Sequence, residues 1–174
     1  MFHNLPNVLS SVRLILSPLT LFLPEKVLPS FFFILAVSDA LDGFLARWLK
    51  AQTELGKVLD PLADKVMLLC GVMVCVYKLD ALPEWFLYLS VSRDLFLLLG
   101  AGLLTMKNRS VPSARLWGKV YTFYLSFLII LCLLGVSVER LFWLAPIFLI
   151  TSWLDYSLVG LRRLKSQTFS SALS

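Results

Sequence analysis

Six apolar stretches, each close to the length of a membrane crossing and separated by Pro, Gly and clusters of charge, leave this chain few ways to fold. A helix needs about 20 predominantly apolar residues to span a bilayer, and residues 8–23, 28–46, 59–77, 82–106, 116–136 and 141–161 approach that length. Composition agrees: 59% of residues are hydrophobic and 16% charged, too little polar surface to coat a soluble globule. The expected fold is therefore an all-α integral membrane protein with six transmembrane helices, one membrane domain over 1–165 and a tail over 166–174 that frays. The first stretch holds Arg13 and Pro18, so its start is expected along the interface as an amphipathic segment. A cleaved signal peptide fits this end poorly, because it has neither a basic leader nor a small-residue cleavage site.

Orientation follows from the basic residues. Arg47, Lys50 and Lys57 share one connection, Lys107, Arg109, Arg115 and Lys119 another, and Arg162, Arg163 and Lys165 the C-terminal end. The alternate connections carry only Lys26, Lys78 and Arg140, each near an acid. Basic loops stay cytoplasmic, which puts both termini inside and predicts a multi-pass protein of the inner, cytoplasmic membrane. The net charge of +5 needs no nucleic acid partner, since anionic membrane lipids attract such loops by about 1 kcal/mol per basic side chain. Cys70, Cys75 and Cys132 lie inside apolar stretches without close spacing to His or to one another, and are expected to be packing residues.

The chemistry is concentrated in 38–65, SDALDGFLARWLKAQTELGKVLDPLADK. Asp39, Asp42, Asp60 and Asp64 stand at the inner ends of two apolar stretches, where a central Asp costs on the order of 2.5 to 3.5 kcal/mol to insert. Spacings of three and four put each pair on one helix face, and a short polar connection lets the two helices run antiparallel and gather all four acids. Such a cluster repels itself unless a cation fills it, and hard oxygen ligands without His or Cys select Mg²⁺ or Mn²⁺. Gly43 and Gly56 leave room for a ligand to approach the backbone, and Arg47 can pair with a phosphate. Asp60-Pro61 reads as a helix start, with Asp60 as cap, and Asn7 reads as the cap of the first helix. The bland alternative is a structural ion-pair cluster of the acids with Arg47, Lys57 and Lys65; four intramembrane acids favour function.

With Asp39, Asp42, Gly43, Ala46, Arg47, Gly56, Asp60 and Asp64 at their spacing, the stretch resembles the CDP-alcohol phosphotransferase family, whose signature is D-x2-D-G-x2-A-R-x8-G-x3-D-x3-D. A looser likeness extends to residues 5–13, to Ser92-Arg93-Asp94 and to Gly118-Lys119. The resemblance implies that Asp39, Asp42 and Asp60 hold divalent metal on the pyrophosphate of a CDP-lipid, with Asp64 as a fourth ligand or the general base. Gly43, Ala46, Arg47 and Thr53 would contact the CDP portion, with Gly56 and Asn7 near the nucleotide. Arg93 and Lys119 would bind the acceptor, although Arg93 and Asp94 can also simply pair with each other and Lys119 can snorkel to the interface.

The implied reaction joins CDP-diacylglycerol to glycerol 3-phosphate with release of CMP, in phospholipid synthesis on the cytoplasmic face. A second acceptor, phosphatidylglycerol, fits the likeness of 92–112 to another branch of the family, and the family further implies a homodimer. The single His at position 3 excludes phospholipase D-type synthases, which need a catalytic His in each of two motifs, and leaves a Ser-His-Asp hydrolase without support. A cation-coupled transporter is the alternative from another class; it would be expected to repeat its acids in the second half, and this chain does not.

Overall fold

Pro6 stands in the first turn of a helix, where its missing N–H has no intrahelical partner to lose, and α1 runs Leu5–Leu16. Pro18 then tightens the chain into a 3-10 turn, Ser17–Leu21. In this computed structural model the described residues are 5–48, 56–106 and 116–171, with side chains described at 8–38, 59, 61–100 and 116–158. The remaining elements are α2 (Leu28–Trp48), α3 (Gly56–Met73) continuing into a π turn (Val74–Lys78), α4 (Glu84–Met106), α5 (Leu116–Leu133), the single turn α6 (Glu139–Phe142) and α7 (Leu144–Ser171). No strand occurs among the described residues.

Several boundaries differ from the sequence expectation for local reasons. Asn7 is inside α1 rather than at its cap, since Leu5 and Pro6 are already helical. Asp60 is likewise not a cap: α3 is helical from Gly56, so Asp60 and Pro61 lie inside it. Gly135, at φ 74, supplies the left-handed residue that ends α5 at Leu133. Nothing beyond Ser157 strongly opposes helix propagation except Gly160, and α7 continues to Ser171, into the segment expected to fray.

The chain divides into two compact units, Met1–Leu87 with Ser126–Val138, and Tyr88–Leu125 with Glu139–Ser174. In the first, α1 packs on α2 and α3, and it does so inside out. Ser10, Arg13, Ser17 and Thr20, spaced by three, four and three residues, are buried, while Val8, Val12, Ile15 and Leu19 are exposed. This polar stripe faces protein. Two of its hydroxyls are satisfied on their own backbone, Ser17 Oγ donating to the Arg13 carbonyl at 2.7 Å and Thr20 Oγ1 to the Ser17 carbonyl at 2.6 Å. The thiols of Cys75 and Cys132 share a hydrogen bond within this core, a pairing across 57 positions that spacing did not reveal.

Exposed aromatic and aliphatic side chains occur throughout, Phe22 at 81% and Phe123 at 79% among them. Leu116–Leu133 and Glu139–Leu158 are, among the described residues, long and apolar enough to cross a membrane, while Val8–Leu21 and Leu28–Ser38 are apolar but shorter. Large apolar groups turned outward on such helices suit a lipid solvent.

Candidate active site

Gly71 lies where α3 approaches α2. A Cβ built on it would fall 2.7 Å from Phe32 Cε2 and 3.0 Å from Ile129, so the absence of a side chain is what admits the Phe32 ring. Phe32 is near the start of α2 and Gly71 near the end of α3. Asp39 lies seven residues after Phe32, and Asp64 seven before Gly71. At 1.5 Å per residue each stands about 10 Å from that contact along its own helix. Asp42 and Asp60 lie ten and eleven residues from it.

The helical backbone carries Asp39 and Asp42 in the second half of α2, with Gly43, Ala46 and Arg47, and Asp60 and Asp64 in the first half of α3, with Gly56 at its start. The side chains of 39–58 and of Asp60 lie outside the described residues, as does the side chain of Asn7, and Thr53 lies outside them altogether. Asp64 and Lys65 are half-buried, and neither is without a partner. No group of three metal-binding side chains occurs among the described residues, of which Asp64 is the only one of the four acids. As a donor set the four positions offer carboxylate oxygen alone, which fits Mg²⁺ or Mn²⁺. With Asp60 inside α3 and not at its start, helix capping does not compete for its lone pairs.

Arg13 is the residue in this unit whose importance sequence obscured. Its charge reads as a mark against membrane insertion, yet it is 1% exposed on the polar stripe of α1, which packs on α3. The detectable signal was the spacing of Ser10, Arg13, Ser17 and Thr20 along one helix face.

In the second unit, α4, α5 and α7 assemble a polar cluster around Arg93, which is 2% exposed. Its Nη1 donates to Asp94 Oδ1 at 2.6 Å and its Nη2 to Ser152 Oγ at 2.7 Å. The guanidinium also lies over the Tyr121 ring, 4.7 Å from the centroid, and the Tyr121 hydroxyl hydrogen-bonds Ser90 Oγ at 3.0 Å. Gly118 admits the neighbouring side chains: a Cβ there would fall 3.1 Å from Tyr156 Cε2 and 3.6 Å from Arg93 Nη2. Lys119, next in sequence, is exposed. The pairing of Arg93 with Asp94 that sequence allowed is present; Tyr121 and Ser152 as its partners were not foreseen.

Comparison with known proteins gives a consistent result. The profile of the CDP-alcohol phosphatidyltransferase family matches residues 3–155. The chain is 35% identical to the CDP-diacylglycerol–glycerol-3-phosphate 3-phosphatidyltransferase of Aquifex aeolicus (strain VF5), over 91% of this chain and 97% of that protein. It is 31% identical to the enzyme of the same name from Rickettsia felis, over 87% and 86% of the two chains. It is also 33% identical to the CMP-forming cardiolipin synthase of Streptomyces coelicolor, over 86% of this chain and 73% of that one.

Proposed function

The chain belongs to the CDP-alcohol phosphatidyltransferase family, and from that membership we propose that it transfers the phosphatidyl group of CDP-diacylglycerol to sn-glycerol 3-phosphate, forming phosphatidylglycerol phosphate and CMP. What supports this reading is the family match over residues 3–155, with Asp39 and Asp42 in the second half of α2 and Asp60 and Asp64 in the first half of α3.

In this reading Asp39, Asp42, Asp60 and Asp64 hold Mg²⁺ or Mn²⁺, which when bound neutralises the diphosphate and stabilises CMP as the leaving group. Asp64 accepts the proton of the acceptor hydroxyl. That oxygen forms a bond to the phosphatidyl phosphorus, and the bond from this phosphorus to the CMP oxygen breaks. Direct attack needs no covalent intermediate. Gly43 and Gly56 admit the nucleotide close to the backbone, Arg47 offers a guanidinium to phosphate, and Asn7, Ala46 and Thr53 complete the CDP contacts. The acceptor end is built on Arg93 and Lys119.

The same proposal takes the chain to be one domain over 1–165 with six membrane spans, dimeric, and set in the inner membrane with its chemistry on the cytoplasmic side. The basic connections around Arg47, Lys107 and Arg162 support that orientation. A cation-coupled carrier is set aside, because the family is one of transferases.

The name of the Streptomyces relative favours one second reading, phosphatidylglycerol as acceptor. Purified protein given CDP-diacylglycerol and each acceptor in turn separates the two. CMP release with glycerol 3-phosphate is the expected result, and turnover of phosphatidylglycerol alone would replace it.

A further inference from the structure

Two of the three thiols in this chain stand together, far apart in sequence. Cys75 lies in the π turn that continues α3, Cys132 is one residue from the end of α5, and their side chains share a hydrogen bond. Both are free thiols in the same compact unit, at 0% and 4% exposure. Each belongs to the turn that ends its element. The Cys132 carbonyl accepts the Gly135 N–H at 3.0 Å, and the Cys75 carbonyl accepts the N–H groups of Ala81 at 2.8 Å and Leu82 at 3.3 Å. Gly135 and Asp80, the residues of positive φ, lie in these same two turns.

A thiol is a weak donor and a weak acceptor, so a hydrogen bond between two of them adds little to a core that other small apolar side chains would fill as well. What two facing sulfurs offer beyond packing is a covalent bond. Helix ends are where a backbone adjusts most readily, so closing these sulfurs to a disulfide asks for side-chain rotation and a local shift, and leaves the rest of the unit in place. The connections that follow the two turns, 79–83 and 134–138, carry no Lys or Arg. In the orientation proposed above they lie on the extracytoplasmic side, where disulfides form and persist.

We propose that Cys75 and Cys132 are a modification site, a thiol pair that becomes a disulfide by exchange with a protein disulfide of the extracytoplasmic compartment and staples the end of the α3 segment to the end of α5. One thiolate attacks a sulfur of the incoming disulfide and releases the first thiol; the other attacks the resulting mixed disulfide and releases the second. The S–S bond of the oxidant becomes two S–H bonds, and the two S–H bonds of the cysteines become one S–S bond, so the cysteines are oxidised and the oxidant is reduced with no electron left over. The bond ties positions 57 apart and restricts the unfolded chain. Neither cysteine belongs to the acid-bearing stretch 39–64, so the staple acts on stability and not on turnover. The compartment that supplies the oxidant rests on the proposed orientation; the chemistry of the pair does not.

The test is mass spectrometry of the full chain, purified reduced in detergent and exposed to 2-hydroxyethyl disulfide, a small neutral disulfide. The expected product has lost two hydrogens and yields, on digestion, a fragment joining Cys75 to Cys132. Cys70→Ser gives the same product, whereas Cys75→Ala and Cys132→Ala do not. The joined protein has a higher heat-denaturation midpoint that falls back on reduction, with kcat equal in the two states. Failure to form the bond, capture of the reagent on separate cysteines, or a bond that uses Cys70 overturns the proposal. A second arm blocks free thiols with N-ethylmaleimide in intact membranes before purification, and the pair is expected to be joined already. If exchange joins the pair in detergent while the membranes hold both thiols reduced, the orientation falls and the pair stands.

Discussion

The acid-bearing helices and the Arg93 cluster concentrate charge in an apolar chain by different means. On α2 and α3, four like charges fall within 26 residues, and their spacing within each helix follows the helical period. Around Arg93, opposite charges on adjacent residues neutralise each other, and the hydrogen bond from Arg93 to Ser152 reaches across 59 positions. Four like charges brought together would be unstable without something to neutralise them; of the Arg93 guanidinium, only Nε lacks a hydrogen-bond partner among the described residues. A cluster of the first kind is built for a cation and a charged substrate, whereas one of the second kind is built to hold a group still.

The largest expected effects follow from that difference. Removal of divalent metal with EDTA should take CMP release to background, with recovery on addition of Mg²⁺ or Mn²⁺ and no change in helical circular dichroism. Retention of activity in EDTA would sink the metal assignment and bring the two regions into one class. Asp64→Asn should come next, lowering kcat by about 10²- to 10⁴-fold, the usual contribution of a positioned general base, without loss of fold. A reduction no larger than that in Ser152→Ala would mean that Asp64 only positions.

The two regions also differ in how far their residues could be read before folding. The acids and their neighbours were legible because their chemistry needs fixed separations along two consecutive helices, and separation is a property of sequence. Tyr121 and Ser152 were not legible as partners of Arg93, since an aromatic and a serine on distant apolar helices carry no local mark of what they touch. Arg13 was misjudged for another reason: a polar stripe on an N-terminal helix reads as a water-facing side, while in lipid the same stripe faces protein. Asp60-Pro61 misled because Pro also occurs within helices, where it forfeits one backbone hydrogen bond.

Glycine substitutions put the two regions on one scale. In Gly71→Ala the new methyl meets Phe32 and Ile129 at 2.7 and 3.0 Å, and overpacking of this kind costs about 1 to 3 kcal/mol. The helix propensity gained returns only about 1 kcal/mol, so stability should fall on balance. Because Gly71 is on the helix that carries Asp60 and Asp64, kcat should fall with it. In Gly118→Ala the nearest atoms are at 3.1 and 3.3 Å on the Tyr156 side chain, which can shift, and propensity should nearly cancel the cost. Denaturation midpoints and kcat of the two variants check this, and equal losses in both would remove the special standing given to Gly71.

The smallest effect belongs to Asp80, at the end of the acid-bearing unit remote from the acids along α3. Its φ of 49 is the one positive value at a non-glycine residue among the described residues. It lies where the π turn closes, with Ala81 N–H donating to the Cys75 carbonyl at 2.8 Å and Leu79 N–H to the Val74 carbonyl at 3.0 Å. A β-branched residue there should cost about 1 to 2 kcal/mol, whereas Asp80→Gly should be neutral or stabilising by less than about 1 kcal/mol, since relief of backbone strain is offset by unfolded-state entropy. Asp80→Val should therefore lower the denaturation midpoint and leave kcat unchanged at temperatures where the protein stays folded. If kcat fell in proportion to stability in both Asp80→Val and Gly71→Ala, activity would track the firmness of the unit as a whole and not the packing of the acid-bearing helix.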